Sequence, residues 1–572
     1  MPRAAIRLSS QVFGFSEFPD LTHFSVPGEV LVKFAQGGYP FPELRFLEIG
    51  IREIGDMLSD LGVNGTSLCW GLVFPSLQSL HLSELYFHDA EDIVTFLQSL
   101  WSLVHLVEFS WTDFPWPYDG TARLEIVSAL MKLESIRHLS LARKRTPSQL
   151  IGFFLASYQS DVLEEINLDG NSLQCRVSYA DAPSPLESFL KGCPNLQTLS
   201  ISRGARNPVE QKCGFSEKDV KALFSHQHLT AVILGGVCLP PSLFKGALAD
   251  AGTESCRQWR ALQLNILEGR EPVCQELSSI ASNCPLEHLS VDFGNNLSTL
   301  TSLHTVDPLL SDLFQFKHLL ELELHGVFLS ATSLMLLSRS LVSIGGSSMS
   351  RMRHSRKRLD EEESTMEATS SSRREEEEEE EVGRVYPTLR HLLISNPKIE
   401  TEGLPLSSFW KELMLSCGQS LLLSLSLVEV PLVDECVEQL VGSTLGRWRD
   451  ESDLPESDLF PYVSQWGCQS GCASSSPVGA SLLTALSEPR RPLLRKPCPL
   501  QTLSLRPSAS KWDRGFGIPA ATSLIELILD RELRPDLVLL RELNIPAPMQ
   551  QGLAKLCQET GCGFLYKDSE SG

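Results

Sequence analysis

Few residues in this chain have the type and spacing needed for covalent chemistry. Cys468 and Cys472, in Cys-Gln-Ser-Gly-Cys, are spaced like half of a zinc site. A structural zinc takes four ligands, and no second pair lies near them in sequence. His226 and His228 stand just before an apolar run and read as structural or surface residues. Cys193 and Cys284 each precede a proline at the edge of an apolar segment, where core packing accounts for a thiol. There is no phosphate-cradling Gly-rich loop ending in Lys-Ser/Thr, no His-Glu-x-x-His zinc helix and no Gly-x-Ser-x-Gly nucleophile turn. The expectation is a protein that is not an enzyme and uses no metal or cofactor.

What does recur is a polar side chain set beside or between leucines. The set is Glu48, His81, Glu108, Glu165, Asn167, Asp169, Asp292, Glu321, Glu323, His325, Glu526, Asp530 and Glu542, and Arg506 is one of few cations beside it. If these residues share a face, that face accepts charge-assisted hydrogen bonds and suits a basic protein segment. A merely solvated strand face would give the same pattern.

The leucines imply the elements that carry these residues. An apolar residue, two others, an apolar residue, one other and an apolar residue recur along the chain. Copies include Leu44-Leu47-Ile49, Leu77-Leu80-Leu82, Ile136-Leu139-Leu141, Leu163-Ile166-Leu168 and Leu319-Leu322-Leu324. From Leu44 to Leu319 the copies start 33, 29, 30, 27, 33, 33, 30, 27 and 33 residues apart. Later copies are expected at Leu389, Leu422, Leu500, Leu524 and Leu540, and a weaker one at Leu21. The last two apolar positions are two apart, so they share one face of a short strand, and stacked copies can bury what a single strand cannot.

Helix signals lie between the strands. Thr146-Pro147-Ser148-Gln149 and Ser184-Pro185-Leu186-Glu187 place a cap before a proline at the first helical position, and Asp89 opens an apolar-periodic run to Leu100. Gly192 stands where a helix should stop. Several repeats close with a second apolar pair, such as Val327-Leu329 and Val430-Leu432. Only Asn171 matches the asparagine of the shorter common repeat, so apolar packing must replace an asparagine ladder. The predicted fold is an α/β leucine-rich-repeat solenoid, a curved array with parallel strands on the concave face and helices outside.

The rhythm sets the expected divisions. Residues 1–43 form an N-terminal capping segment, and 44–342 and 386–441 are repeats. Residues 499–572 are C-terminal repeats and a cap. Residues 343–385 are a charged insertion, basic at Arg351–Arg358 and acidic at Glu375–Glu381, too polar to bury a core. Residues 442–498, rich in Ser, Pro and Gly, read as a long loop.

The charge balance narrows the partners. The chain has 572 residues and 71 acidic against 49 basic side chains, a formal net charge of -22. Such a surface repels phosphate backbones and anionic membranes, so neither nucleic acid nor membrane is expected as a partner. The apolar window Leu413–Leu432 contains Gln419, Glu429 and Pro431 and reads as two buried elements, not a membrane span. The scattered, odd number of cysteines, 15, fits reduced thiols in cytoplasm or nucleus.

The segments FPSLQSLHLSELYF, CPNLQTLSI and YPTLRHLLIS resemble the ribonuclease-inhibitor-like repeats of F-box/leucine-rich-repeat proteins, the fungal members above all. The resemblance covers most of the chain, and it implies a protein-protein interaction scaffold related to ubiquitin-ligase substrate receptors. It also implies a cullin-ligase adaptor as one partner. Val26-Pro27-Gly28-Glu29-Val30-Leu31 looks like the opening of an F-box, but a repeat strand begins at Leu44 and leaves too little room for a clear one. A regulator of a small GTPase built on such an array is the alternative.

Overall fold

The computed structural model describes residues 22–27, 41–50, 70–143, 151–171, 183–202, 213–238, 258–266, 277, 280, 284–293, 306–341, 389–399, 406–445, 500–507, 517–541 and 547–567, short of a few positions inside these spans. They fall into two compact units, Met1–Pro285 and Leu286–Gly572.

The first unit is a parallel ladder. Its strands are β1 (His23–Pro27), β2 (Phe46–Gly50), β3 (Ser79–Ser83), β4 (Glu108–Thr112), β5 (His138–Ser140), β6 (Glu165–Asn167), β7 (Thr198–Ile201), β8 (Cys213–Gly214), β9 (Ala231–Cys238) and β10 (Ala261–Ile266). Each strand from β1 to β6 pairs with the next in sequence. β7 and β10 both pair with β9, and the two-residue β8 joins the end of β9. The inner apolar residues align in two rows. One runs Leu47, Leu80, Phe109, Leu139, Ile166, Leu199 and Val232, and every member is buried.

The second unit repeats this plan with β11 (His288–Asp292), β12 (Glu321–His325), β14 (His391–Ser395), β16 (Ser424–Val430), β17 (Thr502–Pro507), β18 (Leu537–Arg541) and β19 (Gly563–Lys567). β13 (Phe328–Leu329) and β15 (Lys398–Ile399) form a small parallel pair of their own.

One backbone motif recurs in both units. The carbonyl just before a strand accepts two successive N–H groups of the next repeat. Arg45 O takes those of Gln78 and Ser79, Gln78 O those of Val107 and Glu108, and Glu287 O those of Leu320 and Glu321. This double acceptance fixes register at the point where each strand begins, and it satisfies polar backbone that would otherwise be buried at a cost.

The helices cover the leucine side. Trp111 on β4 meets Phe96 of helix Ala90–Ser99 edge-on at 5.5 Å, and Phe114, just after β4, at 4.7 Å. Asp89 caps that helix by accepting from Asp92 N, and Ser184 caps helix Pro185–Gly192 by accepting from Glu187 N, with Pro185 at the first position. Thr146–Gln149 lies outside the described residues. Leu413–Leu432 resolves into the end of helix Leu406–Gln419 and most of β16, as the polar residues within it require.

The chain leaves its strands through a left-handed residue two positions past the last inner leucine. Asp113, Gly326, Asn396 and Glu429 occupy this position with φ of 63°, 57°, 46° and 56°, and Gly170 follows the same rule at 78°. A Cβ on Gly170 would stand in the Arg143 backbone, so only glycine fits there. The turn drives the next apolar residue inward. Val327, Leu329, Val430 and Leu432 are all buried, so the second apolar pair does the packing expected of it. Asn171 makes the one asparagine rung foreseen: its side-chain amide donates to Leu141 O at 2.9 Å and Leu168 O at 3.0 Å.

These features make the fold a leucine-rich-repeat solenoid. Three expectations at the C-terminal end need correction. The copy at Leu524 is not a strand: Ile518–Leu529 is a helix with Pro519 in its first turn and Ala521, Leu524, Ile525 and Ile528 buried at helical spacing. Leucines at 524 and 527 satisfy both periods, and length decides for the helix. The copy at Leu540 is displaced, because β18 buries Val538 and Leu540 and so begins its pattern at Pro535. Helix Asp434–Thr444 also runs past the expected end of the repeats at 441. The charged insertion, the rest of the Ser/Pro/Gly-rich stretch and the Cys468–Cys472 pair lie outside the described residues.

Candidate protein-binding face

Residues between the buried rows, and those one position before the first row, share the strand face away from the helices. In the first unit the face carries an alternation of carboxylate and imidazole over five successive strands: Glu48 on β2, His81 on β3, Glu108 on β4, His138 on β5 and Glu165 on β6. Glu48 and His81 are ladder partners, as are Glu108 with His138 and His138 with Glu165. The geometry couples them. His81 Nε2 stands 3.1 Å from Glu108 Oε1, Ser79 Oγ donates to Glu108 Oε2 at 2.8 Å, and His138 Nδ1 stands 2.9 Å from Glu165 Oε2. Phe46 extends the stripe, with its ring 4.8 Å from that of His81.

The second unit builds a tighter cluster. His288 Nδ1 lies 2.8 Å from Glu321 Oε2, and its Nε2 4.0 Å from Glu323 Oε2. His325 reaches Glu323 through Nε2 at 3.5 Å and Ser395 Oγ through Nδ1 at 2.7 Å. The hydrogen bond from His325 holds the Glu323 carboxyl below the usual carboxylate range, against the opposing push of burial. Ser290 and His288 add to the pull. Asp292 is the ladder partner of His325, and His391 continues the row past Glu321.

The face therefore brings together Glu48, His81, Glu108, Glu165 and Asn167 in one unit and Asp292, Glu321, Glu323 and His325 in the other. Asp169, one residue past Leu168 as Asp292 is one past Val291, borders the face: its carboxylate accepts from Ser200 Oγ at 2.8 Å, Ser200 being the ladder partner of Asn167, and its N–H donates to Asn167 Oδ1. Two expected residues lie on the helix side or at a helix end, and a third is outside the described residues. Glu526 is on helix Ile518–Leu529 and, after burial and the neighbouring Glu435 and Asp434, adds to the upward push on the Glu438 carboxyl of helix Asp434–Thr444, so it belongs to the helix side. Asp530 ends the same helix, and its side chain accepts from Leu533 N. Glu542 lies outside the described residues. Where these acids were expected, the face instead carries half-buried Leu537 and Leu539 on β18 and exposed Leu565 on β19. Arg506 is engaged by Glu429 at 2.8 Å. The sequence reading missed His138, His288 and His391, although each stands one residue before an inner leucine and could have been found there.

Among the other residues singled out, His226 and Cys193 serve packing. His226 is buried, with Nε2 3.1 Å from Cys193 O, and burial lowers its pKa. Burial pushes the Cys193 thiol up to about 12. Among the described residues there is no group of three or more potential ligands able to hold a metal ion, and no helix long and apolar enough to cross a membrane. The N–H groups of Arg45 and Phe46 bond to Thr22 O and β1 pairs with β2, so Val26 and Pro27, which resemble the opening of an F-box, belong to the ladder.

No protein-family model matches the chain, and no curated protein does. Among solved structures, a complex of TLR13 with ssRNA13 is 16% identical, with a TM-score of 0.30, over 75% of this chain. The likeness spans 57% of that protein's chain, and at such a score it bears on neither ligand nor partner.

Proposed function

We propose that this chain is a protein-interaction scaffold whose strand face holds a basic segment of its partner. One observation carries the reading: five successive strands present Glu48, His81, Glu108, His138 and Glu165 in alternation, and none of those strands carries a lysine or arginine. Carboxylates oriented by a neighbouring imidazole are spared part of the entropy a free glutamate would lose on binding. The ladder thus presents acceptors already placed for lysine or arginine donors.

The resemblance to F-box/leucine-rich-repeat proteins makes substrate recognition for a ubiquitin ligase the finer version of this function, and a cullin-ligase adaptor the first partner to look for. The test is capture from native cells with the full chain and with a Glu48→Lys/Glu165→Lys variant. These two side chains are exposed, so their reversal spares the core. Loss of the same captured proteins in the variant, with unchanged thermal unfolding, supports the reading. Equal capture by both forms sinks it. Recovery of the adaptor among proteins the variant retains assigns the ligase role to a different surface.

A further inference from the structure

Two thiols meet where the last helix turns into the last strand. Cys557 lies in the final turn of helix Ala547–Thr560, and Cys562 immediately precedes β19. Between them Gly561 takes the left-handed conformation, with φ of 76°, and its N–H donates to Gln558 O at 3.4 Å. This is a glycine-terminated helix end, in which the residue after the glycine folds back onto the last helical turn. Here that residue is Cys562, and its thiol is hydrogen-bonded to the thiol of Cys557. Both are free thiols and both are buried. The turn beside them is bare: Gly561 and Gly563 are exposed, and a Cβ on Gly561 would meet nothing. A small reagent can therefore approach the Cys562 sulfur from the turn.

We propose that Cys557 and Cys562 are a redox-responsive pair, closed by a small-molecule disulfide such as glutathione disulfide into a bond that staples the last helix to the last strand. A disulfide needs Cβ atoms about 3.5–4.5 Å apart, and two thiols already in hydrogen-bond contact across one turn need little backbone movement to reach that. The two sulfurs are unequal. The hydrogen bond from Cys557 holds the Cys562 thiol below its ordinary value, against the push of burial, and Arg534 adds to the pull. The same bond, together with burial, pushes Cys557 up. Cys562 is therefore the attacking thiolate. It displaces one glutathione thiolate from the oxidant and forms a mixed disulfide. Cys557, losing its proton to the released thiolate, then attacks the Cys562 sulfur and expels the second glutathione. Two protein thiols are oxidised, one small disulfide is reduced to two thiols, and no other reactant is needed. Cys417 is a control in the same chain: burial alone pushes its thiol up to about 12, which leaves it inert. The pair is separate from the strand-face stripe, so it stands or falls independently of the scaffold reading.

The experiment exposes the full, native chain to glutathione disulfide at neutral pH, quenches with an alkylating agent under denaturing conditions, and digests with trypsin. Cleavage after Lys555 and Lys567 releases both cysteines in one peptide, Leu556–Lys567. That peptide should appear unalkylated and lighter by two hydrogens, at a rate about tenfold or more above the modification of Cys417. Dithiothreitol should return it to the doubly alkylated form. In Cys557→Ser the second step has no thiol, so Cys562 should keep its glutathione adduct, which the parent does not accumulate. Should that variant fail to fold, the parent decides alone, by the rate of its peptide against that of Cys417. A peptide that stays reduced, that closes no faster than Cys417 reacts, or that carries the same glutathione adduct in parent and variant overturns the proposal.

Discussion

At the scale of single residues, two side chains show how position decides value. Asn171 is fully buried and donates to the carbonyls of two neighbouring repeats. Asn171→Ala leaves both carbonyls without that donor, which costs about 1–3 kcal/mol, and thermal unfolding of the variant should shift down accordingly. Glu323 gives a pH prediction. Its carboxyl is held below the ordinary value by His325, so it contributes stability above the unfolded carboxyl pKa and loses it as pH falls through the folded one. Glu323→Gln should therefore melt lower than the parent at pH 7. The gap should persist down to the ordinary glutamate pKa of about 4.3 and close only below it. A gap of constant size at every pH would mean that the glutamine is simply packed less well.

At the scale of elements, capping and periodicity were readable where they were unambiguous. Ser184-Pro185-Leu186-Glu187 and Asp89 named their helix starts because the cap chemistry is local. Ser184→Ala should cost about 1 kcal/mol, seen as a lower unfolding midpoint in urea with an unchanged slope. The leucine motif gave the register of β2 through β7 directly, because each inner position is a large apolar residue. It failed at Ile518–Leu529, where one run of leucines fits a strand and a helix equally. It also failed at β19, where Phe564 rather than a leucine stands opposite the inner Val538 of β18. The candidate face suffered in proportion. The acids of β2, β4, β6, β11 and β12 were found from register alone, while Glu526 and Asp530 followed the misread helix off the face.

At the scale of the molecule, the net charge of -22 has a direction of its own. Self-repulsion among unpaired surface carboxylates opposes compaction, and salt screens it over a Debye length of about 10 Å at 0.1 M. Raising sodium chloride from low to physiological strength should lift the melting temperature by a few degrees, and a fall instead would show that the His–Glu and Lys–Glu contacts outweigh the repulsion. The same salt should weaken any basic partner on the strand face.

The carbonyl that accepts two N–H groups at each strand start has a consequence for how this protein can be rebuilt. Leu423 O receives Gln501 and Thr502 in the same way that Arg45 O receives Gln78 and Ser79, although the first step crosses far more chain. Neighbourhood in the stack, not distance along the chain, sets what lies beside what. Closing a longer loop costs only about 0.6 kcal/mol per doubling of its length. The sequence reads residues 442–498 as a long loop, and on that reading the stretch is open to excision. Replacing residues 446–499 by a short Gly/Ser linker should leave the melting temperature within about 3 °C of the parent by that same arithmetic. A partner reading the face from β14 to β18 would meet an unaltered surface, so its affinity should survive an edit that removes nearly a tenth of the sequence.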